Sequence, residues 1–345
     1  MKVGIIGSTG YVGAELTRLL HQHKDVEIVF LDSRSYAGME YGAVYPNMKE
    51  RVIKRCQAVK LEEALDKIDL LFCALPHGLS QSAVKMAHES GKKVIDISAD
   101  FRIKDARTYE TWYETKHEAR LELEKAVYGL SEIYGQEIAK AQIVANPGCY
   151  PTSALLPLYP LLKEKLIFAD VIIIDSKSGV SGAGRSASDA NIYAQCNENF
   201  KAYGLGVHRH LPEIEQELSI AAGTPLKVQF SPHLAPMTRG ILSTIYIPNN
   251  KETDFKDIRE VYDSYYGQEP FIRILDENVY PQTKAVYGSN YCDIGVKIDD
   301  RTNNIIIVSV IDNLVKGAAG QGVQNMNLMC GFDKEEGLRQ LALWP

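Results

Sequence analysis

The segment from Asn146 to Ser153 contains the side chain best suited to covalent chemistry. Cys149 follows the Pro147-Gly148 turn, and the apolar run from Ala154 to Leu162 behind it predicts a helix. A cysteine at a helix start lies among unpaired backbone N–H groups and the positive end of the helix dipole, which favours the nucleophilic thiolate. The same N–H groups would stabilise an oxyanion on a carbonyl under attack. The alternative is a buried structural cysteine in an ordinary turn.

Two histidines, an arginine and a glutamate lie within six positions further along the chain, at His208, Arg209, His210 and Glu213. A thiolate mechanism needs an acid or base that works near pH 7, which histidine supplies. Metal binding is the competing interpretation. His208 and His210 are two positions apart and no third ligand follows at a zinc-like spacing, so we predict no metal site. A helix-capping or surface role stays open for one of the two histidines.

Two arginines follow segments that are suited to anion binding. Arg102 comes after a predicted strand from Lys93 to Ile97, at the edge where parallel sheets bind ligands, and a guanidinium holds an anion by a bidentate fork. The alternative for Arg102 is a surface ion pair with Asp100 or Asp105. Arg185 ends a loop of glycine and other small residues, which either approaches a ligand closely or is a mobile surface loop.

A glycine-rich turn near residue 10 predicts a dinucleotide site. A strand from Lys2 to Ile6 leads into a GxxGxxG turn and a predicted helix from Ala14 to His21. Glycines permit a tight turn and let the backbone approach a pyrophosphate, which then lies at the helix N-terminus. The spacing is a looser variant of GxGxxG, but its place between strand and helix favours dinucleotide binding over an ordinary turn. The predicted cofactor contacts here are Gly7, Ser8, Thr9, Gly10, Tyr11, Val12 and Gly13.

The end of the second predicted strand, Val26 to Leu31, indicates which dinucleotide binds. Asp32 suits a free ribose 2′-hydroxyl, but Ser33, Arg34 and Ser35 follow it, and a guanidinium with two hydroxyls suits a 2′-phosphate. Arg34 could instead be a solvated loop residue. We therefore predict NADP(H) rather than NAD(H), with Ser33, Arg34 and Ser35 as contacts.

Alternation of strands and helices over the first 148 residues predicts a parallel, doubly wound sheet. Further apolar strands are predicted at Leu70 to Ala74, Lys93 to Ile97 and Gln142 to Ala145. Residues 104–125 are charged and rich in tyrosine, which predicts a surface helix. Cys149 would then lie at the ligand-binding edge of this sheet, and this position favours the catalytic interpretation.

The second half of the chain predicts a different architecture. Residues 226–248, 291–299 and 303–311 alternate apolar with polar residues, as antiparallel strands with one solvated face do. A small-residue helix from 312 to 329 is predicted to return to the first domain. The predicted fold class is α/β, a Rossmann-type doubly wound parallel sheet plus an α+β domain with a mixed sheet. The predicted domains are 1–148 with 315–345, binding NADP, and 149–314, for catalysis, substrate binding and oligomerisation.

Composition narrows the class of protein. The chain has 345 residues, of which 45% are apolar and 24% charged, and its formal net charge is −6. These values are typical of a globular protein and argue against a partner among nucleic acids. The six cysteines form no CxxC pair, which favours a reducing compartment without disulfides. A strand at the first residues and the lack of a long apolar run predict no signal peptide and no membrane span, so we expect a cytoplasmic location.

The motifs together resemble those of the N-acetyl-gamma-glutamyl-phosphate reductase family of arginine biosynthesis, and the resemblance covers essentially the whole chain. The residues that carry it are Gly7–Gly13, Ser98–Arg102, Asn146–Thr152, Ser181–Arg185, His208–Ile214 and Asp312–Gly320. It implies the fold shared by aspartate-semialdehyde dehydrogenase and glyceraldehyde-phosphate dehydrogenase, NADPH as donor, and a thioester on Cys149. By position in the family motif, His208 is the implied acid/base residue, with His210 as the alternative. Further cofactor contacts are predicted at Pro76, Asn313 and Lys316.

The reaction implied by this resemblance begins with attack of the Cys149 thiolate on the acyl phosphate of N-acetyl-glutamyl 5-phosphate. Phosphate leaves with help from Arg102, the thioester is reduced by hydride from NADPH, and His208 protonates the collapsing hemithioacetal. The predicted substrate contacts are Arg102, Arg185 and Glu213. The expected partners are the small acyl-phosphate substrate and further copies of the chain, as a dimer or tetramer.

Two alternatives remain at the level of the sequence. One is a reductase for a related acyl phosphate, either aspartyl phosphate or a carrier-linked aminoadipyl phosphate. A carrier-linked substrate favours a basic docking rim, and the net charge of −6 offers no obvious one. The other is a nonenzymatic NADPH sensor on a dehydrogenase fold, which would need neither Cys149 nor the histidines.

Overall fold

The computed structural model describes residues 1–167, 171–189 and 191–344. The chain forms two compact units. Unit 1 comprises Met1–Pro147 and Ala318–Arg339, and unit 2 comprises Gly148–Gly317 and the residues from Gln340 onward. The chain therefore completes most of unit 1, builds unit 2, and then returns to unit 1.

Unit 1 contains a sheet of seven strands that pair in parallel throughout, in the order β3-β2-β1-β4-β5-β7-β6. The strands are β1 Lys2–Ile6, β2 Glu27–Asp32, β3 Cys56–Gln57, β4 Leu70–Cys73, β5 Lys93–Asp96, β6 Val127–Tyr128 and β7 Ile143–Ala145. All four residues of β4 are buried, as expected for an apolar strand covered on both faces. The predicted Rossmann-type sheet is confirmed.

The helices of unit 1 connect these strands. They are α1 Tyr11–His21, α2 Tyr41–Val44, α3 Leu61–Ala64, α4 Gln81–Glu89, α5 Ala106–Tyr113, α6 Arg120–Lys125 and α7 Ser131–Ile138, with 3-10 turns at Pro46–Met48 and Leu65–Lys67. The prediction of one surface helix over 104–125 is wrong. Two short helices occupy that stretch, and α5 buries Tyr109 and Tyr113, whose rings stack at 4.9 Å. Aromatic burial outweighs the charged composition of the segment.

Unit 2 contains a mixed seven-stranded sheet, in the order β12-β13-β14-β11-β8-β10-β9. Its strands are β8 Ile173–Ser178, β9 Lys201–Ala202, β10 Gln229–Leu234, β11 Ile241–Pro248, β12 Ile272–Ile274, β13 Cys292–Asp299 and β14 Asn304–Ile311. β8 pairs in parallel with β10, and β12 pairs in parallel with β13. β14 pairs antiparallel with both β11 and β13. Buried and less buried residues alternate along β11, so one face of the sheet is more exposed to solvent than the other at this strand. This confirms the prediction of a sheet with one solvated face there.

The helices of unit 2 pack beside this sheet. They are α8 Cys149–Lys163, α9 Tyr193–Cys196, α10 Leu211–Ala222 and α11 Phe255–Tyr266, with 3-10 turns at Val180–Ala183 and Thr283–Val286. The prediction began α8 at Ala154, but the helix starts at Cys149. α8 also contains Pro160, which cannot donate to the Leu156 carbonyl. The Tyr266 hydroxyl of α11 donates to that oxygen instead, at 2.5 Å, and so replaces the lost helical bond.

The last helical segment begins as a π-helical turn, Val315–Ala319, and continues as α12 Gly320–Cys330. α12 is buried along nearly its whole length, polar residues included. Asn325, for example, donates to the Gly129 carbonyl at 2.8 Å and to the Asn146 amide oxygen at 3.0 Å. This helix belongs to unit 1, as the small-residue pattern of the sequence predicts.

Candidate active site

The turn between β1 and α1 in unit 1 is shaped by two glycines. Gly7 has φ +74°, and a Cβ there would lie 2.2 Å from the Ala74 carbonyl oxygen. A Cβ on Gly13 would lie 2.4 Å from the Gly7 oxygen, whereas one on Gly10 would meet nothing closer than 3.6 Å. Gly7 and Gly13 therefore let strand, turn and helix pack at backbone distance, and Gly10 is the glycine that leaves room above the turn.

The first turn of α1 offers backbone donors to a ligand. Its N-cap is Gly10, in an extended conformation, and neither a capping side chain nor an acidic residue occupies the first turn. The N–H groups there are thus not used by a cap and carry the positive end of the dipole. Tyr11 is 37% exposed at the start of this helix, and Val12 is half-buried behind it.

The predicted ribose-phosphate contacts lie at the end of β2. The hydroxyls of Thr9 and Ser33 share a hydrogen bond of 2.7 Å, which joins this strand end to the glycine turn. Ser8 is fully buried and donates its hydroxyl to the Asp32 carbonyl at 2.8 Å. Arg34 and Ser35 are exposed, as is Pro76 after β4.

Two tyrosines that the sequence analysis missed complete this turn. The Tyr41 hydroxyl donates to the Ser8 carbonyl at 2.7 Å, and the Tyr45 hydroxyl donates to the Thr9 carbonyl at 2.9 Å. Both carbonyl oxygens are therefore satisfied by protein donors. Both tyrosines are about 35 positions away in sequence, and no local pattern signals the contacts.

Arg102 lies at the carboxyl edge of the same sheet but is only 6% exposed. Its Nε donates to the Asn146 carbonyl at 2.7 Å and its Nη2 donates to the Ile97 carbonyl at 2.9 Å. The alternative of a surface ion pair is therefore wrong, because Arg102 is buried. These bonds hold the chain just past β5 and β7, and Asn146 leads directly to the turn before Cys149.

A buried network of carboxylates and hydroxyls surrounds this arginine. Asp100 is fully buried and accepts from Tyr109 at 2.7 Å, from the Ser80 hydroxyl at 2.8 Å and from the Gly78 N–H at 2.6 Å. Burial, and then the charge of Asp100, raise the pKa of Asp96 to about 7, while Ser98 and Arg102 act in the opposite direction. The edge of β5 therefore holds a carboxyl group that binds a proton at unusually high pH.

Cys149 occupies the first position of α8 in unit 2. Its side chain is partly exposed, and Gly148 is the extended N-cap, again without a capping side chain or an acidic residue in the first turn. The Thr152 N–H and hydroxyl both donate to the Gly148 carbonyl, each at 2.9 Å. A Cβ on Gly317 would lie 2.7 Å from the Cys149 Cβ, so this glycine packs directly on the cysteine.

His210 and Glu213 contact the residue before the cysteine. A Cβ on Gly148 would lie 2.5 Å from His210 Nε2, so the imidazole occupies the space that a side chain would need. The Gly148 N–H donates to Glu213 Oε1 at 2.8 Å, and Glu213 is fully buried. Glu213 therefore accepts a backbone N–H of the turn before Cys149, and its contact with substrate stays a prediction.

His208 lies in an aromatic cluster formed by Tyr150, Tyr203 and Phe230. Its ring is within 5.4 Å of each of these three rings, centroid to centroid. Burial lowers the pKa of His208 to about 4, and the charge of Arg209 adds to this shift. The His210 N–H donates to His208 Nδ1 at 3.1 Å. His208 is thus neutral at pH 7 and holds the backbone of His210.

The small-residue loop before Arg185 contacts the start of the last helical segment. Asn313 is buried; its amide nitrogen donates to the Ser181 hydroxyl at 3.0 Å and its oxygen accepts from the Gly240 N–H at 2.8 Å. Lys316 is fully buried, whereas Arg185 is exposed. Asn313 therefore bonds protein groups of unit 2, and the cofactor contacts of Asn313 and Lys316 stay predictions.

Metal-ligand clusters and membrane-spanning helices are both absent from the described ranges, 1–167, 171–189 and 191–344. No group of three or more histidine, cysteine, aspartate or glutamate side chains is arranged there to hold a metal ion. None of the helices in these ranges has the length and apolarity to cross a membrane.

Family comparisons match nearly the whole chain. Residues 2–141 match the NAD binding domain of semialdehyde dehydrogenases, and residues 149–313 match the dimerisation domain of the same group. N-acetyl-gamma-glutamyl-phosphate reductase of Alkaliphilus metalliredigens is 62% identical, and that of Pelotomaculum thermopropionicum is 52% identical. Both alignments cover 100% of this chain, and they cover 100% and 99% of the relatives.

Solved structures share the fold at lower identity. Aspartate semialdehyde dehydrogenase II of Vibrio cholerae superposes with a TM-score of 0.72 at 20% identity, covering 95% of this chain and 97% of that one. Aspartate semialdehyde dehydrogenase of Candida albicans, solved with NADP, gives 0.71 at 18% identity, covering 95% and 98%. At these identities the likeness establishes the architecture.

Proposed function

The chain belongs to the N-acetyl-gamma-glutamyl-phosphate reductase family, and from this membership we propose that it converts N-acetyl-glutamyl 5-phosphate to N-acetyl-glutamate 5-semialdehyde in arginine biosynthesis. The observation that carries the proposal is the turn in which Cys149 begins α8 while the His210 imidazole packs on Gly148. A sensor that only binds a dinucleotide would need neither feature. The turn supplies a nucleophile, backbone N–H donors and an imidazole within one short stretch.

Cys149 is the residue that forms the covalent bond. Its thiolate attacks the acyl carbon, the C–O bond to phosphate breaks, and an acyl thioester on Cys149 remains. The uncapped N–H groups of the first turn of α8 stabilise the negative charge that develops on the acyl oxygen. Glu213 positions this turn by accepting the Gly148 N–H.

His210, rather than His208, is the residue we assign to proton transfer. Its Nε2 lies against Gly148, one position from the nucleophile. His208 has a pKa of about 4 and accepts the His210 N–H at Nδ1, so it is a neutral imidazole at pH 7, is not the imidazolium form that serves as a general acid, and instead positions its neighbour. This reverses the order that the family motif implied from sequence. When the hemithioacetal collapses, its C–S bond breaks and the aldehyde leaves. His210 then protonates the departing Cys149 sulfur.

NADPH is the hydride donor, and the residues of unit 1 fit it. Gly7 and Gly13 let the strand, turn and helix pack closely, a Cβ on Gly10 would meet nothing closer than 3.6 Å, and the first turn of α1 has neither a side-chain cap nor an acidic residue beside its N–H groups. Ser33, Arg34 and Ser35 hold the 2′-phosphate, and the residues from Gly7 to Gly13 hold the pyrophosphate. When bound, NADPH supplies the hydride that reduces the thioester. In this proposal the cofactor domain is unit 1, Met1–Pro147 and Ala318–Arg339, which is narrower than the predicted 1–148 and 315–345. Pro76, Asn313 and Lys316 stay predicted cofactor contacts.

Arg102 and Arg185 complete the proposed substrate contacts. Arg102 stabilises the leaving phosphate in addition to bonding the Asn146 and Ile97 carbonyls. Arg185 is exposed on its loop and is available to a substrate carboxylate or phosphate. Residues 149–314 form the catalytic domain in this assignment.

The mixed sheet is also the proposed surface for self-association. On the less buried face of β11, Tyr246 pairs with Ile173 of β8 and with Ile306 of β14, which places three apolar side chains side by side. Tyr246 and Ile173 are each 37% exposed. A second copy of the chain would cover this face, in line with the dimerisation domain that residues 149–313 match. Light scattering should give the mass of a dimer or tetramer, and Tyr246→Asp should lower it.

A cytoplasmic location is also part of this proposal. The six cysteines form no disulfide, as is usual in a reducing compartment.

Oxidation of NADPH in the presence of each candidate acyl phosphate tests the proposed reaction. We expect turnover with N-acetyl-glutamyl 5-phosphate that exceeds turnover with aspartyl phosphate and with a carrier-linked aminoadipyl phosphate. A preference for either of the latter would replace the proposed substrate. Binding of NADPH without turnover of any of the three would favour the sensor.

A further inference from the structure

Arg239 lies between β10 and β11 in unit 2, and neither the sequence motifs nor the proposed chemistry gives it a role. Its side chain is 23% exposed, and Nη1 is 3.6 Å from Asp312 Oδ2. The fully buried Asp312 carboxylate already accepts three backbone N–H groups, from Leu314 at 2.8 Å, Val315 at 3.0 Å and Gly288 at 2.8 Å. The contact with Arg239 is longer than a hydrogen bond and is not needed to satisfy this aspartate.

The backbone at Arg239 is held from two sides. The N–H of the next residue, Gly240, donates to the Asn313 amide oxygen at 2.8 Å. The Thr238 carbonyl accepts the Ser181 N–H at 3.1 Å, and a Cβ on Gly179 would lie 2.8 Å from the Arg239 nitrogen. Arg239 is therefore presented from a braced segment rather than from a free loop, which makes its position reproducible.

The same segment is connected to the nucleophile through the turn that follows β14. The Gly317 N–H donates to the Asp312 carbonyl at 2.9 Å, and Gly317 packs on Cys149. The aspartate beside the guanidinium and the glycine beside the thiol thus belong to one short turn. Among the other cations of this part of unit 2, Lys316 is fully buried and Arg185 and Arg209 are exposed. Lys177 is 25% exposed and pairs with Asp175 at 3.0 Å, and Arg239 is 23% exposed beside Asp312.

We propose that Arg239 binds the carboxylate at the far end of the acyl chain while its acyl carbon reacts at Cys149. The inference rests on the proposed function and concerns which acyl groups are accepted. Three carbons separate the carboxylate of the substrate's acyl group from its reactive carbonyl carbon, and a partly buried guanidinium is the side chain that recognises a carboxylate by paired hydrogen bonds. Arg239 is then a determinant of specificity for acyl groups with a terminal carboxylate.

The test uses two aldehydes in the reverse reaction, with NADP⁺ and phosphate. N-acetyl-glutamate 5-semialdehyde carries the carboxylate, and 4-acetamidobutanal is the same molecule without it. We expect Arg239→Leu to lower kcat/KM for the semialdehyde at least about 10-fold and to change kcat/KM for 4-acetamidobutanal less than about 2-fold. Arg239→Lys should fall between, because it keeps the charge and loses the fork. The KM values for phosphate and NADP⁺ should not change.

The matched control is Arg301→Leu, since the Arg301 side chain is 85% exposed on the turn between β13 and β14. It should leave both aldehydes unaffected. The ratio of the two kcat/KM values does not depend on how much of a variant folds, so partial misfolding of Arg239→Leu would not obscure the result.

Equal loss for the two aldehydes would overturn the proposal and leave Arg239 a structural partner of Asp312. A raised KM for phosphate would instead assign Arg239 to the phosphate and overturn the carboxylate assignment. Wild-type protein that is inactive on the semialdehyde would refute the proposed function itself. Activity of the wild type combined with equal loss in the variant would refute only the role of Arg239.

Discussion

The first turns of α1 and α8 have nearly the same backbone and very different surroundings. Each helix follows an extended glycine N-cap, Gly10 with φ −74° and ψ 166° and Gly148 with φ −69° and ψ 157°. Both lack a capping side chain and an acidic first-turn residue, whereas α5 and α11 are capped by Asp105 and Asp254. No side-chain cap therefore competes for the N–H groups at the starts of α1 and α8, where we propose ligands.

The difference lies in what contacts the N-cap residue. Nothing lies closer than 3.6 Å to a Cβ on Gly10, so the turn before α1 is open to a large ligand. At α8, the His210 imidazole and the Glu213 carboxylate contact Gly148. An open helix start suits binding of a dinucleotide, and a helix start enclosed by an imidazole and a carboxylate suits proton transfer at a nucleophile.

The largest effect should follow from Cys149→Ser. We expect kcat for NADPH oxidation with the acyl phosphate to fall by more than about 10⁴-fold, because the covalent step is lost. The Kd for NADPH should change little, since the α1 turn is untouched; fluorescence titration measures it. Near-normal turnover would exclude the thioester, and loss of NADPH binding would mean that the two helix starts are not separate in function.

The histidine assignment can be tested by replacing each histidine with asparagine. His210→Asn should lower kcat by about 10²- to 10⁴-fold, the range for loss of a general acid or base. His208→Asn should lower kcat less than about 10-fold, because an amide can still accept the His210 N–H. Steady-state kinetics of both variants at pH 7 gives the comparison. A larger loss in the His208 variant would return proton transfer to His208.

Alanine at the two N-cap glycines compares the helix starts directly. Gly148→Ala places a methyl group where the His210 ring lies, so we expect kcat to fall about 10- to 100-fold as the imidazole is displaced. Gly10→Ala meets only the 3.6 Å contact, and its kcat should stay within about 2-fold of the wild type. Similar losses in both variants would show that the glycines act through the helix start alone and not through His210.

The smallest effect concerns Asp96, which lies at the same sheet edge as the dinucleotide turn but is closed to solvent. Its pKa of about 7 in the folded protein exceeds its ordinary value of 3.8, so the folded state retains a proton that the unfolded state loses. The free energy of unfolding should therefore fall as pH rises from about 4 to about 7. Asp96→Asn should reduce that fall, and thermal unfolding at pH 4.5 and pH 7.5 measures it. An unchanged pH dependence would contradict the assigned pKa.

The elements that the sequence alone determined are those encoded by local patterns. β1 was predicted at Lys2–Ile6 and is found there, because four apolar or small residues directly before a glycine turn have few other structures available. The parallel sheet follows from repeated apolar strands joined by helices. The position of Cys149 at a helix start follows from Pro147 and Gly148, which end one element and begin the next.

The tertiary structure decided what depends on residues far apart in the chain. Which histidine touches Gly148 depends on a segment about 60 positions away, and the two histidines are equivalent to any local pattern. Glu213 accepts the Gly148 N–H and Arg102 donates to the Asn146 carbonyl, and no local pattern signals either contact. Both arise because a buried charged group must be paired where it lies. Tyr109 and Tyr113 are buried although the residues around them in sequence are charged. Here too the contacts between elements decide, because burial of the aromatic rings outweighs the polarity of the local sequence.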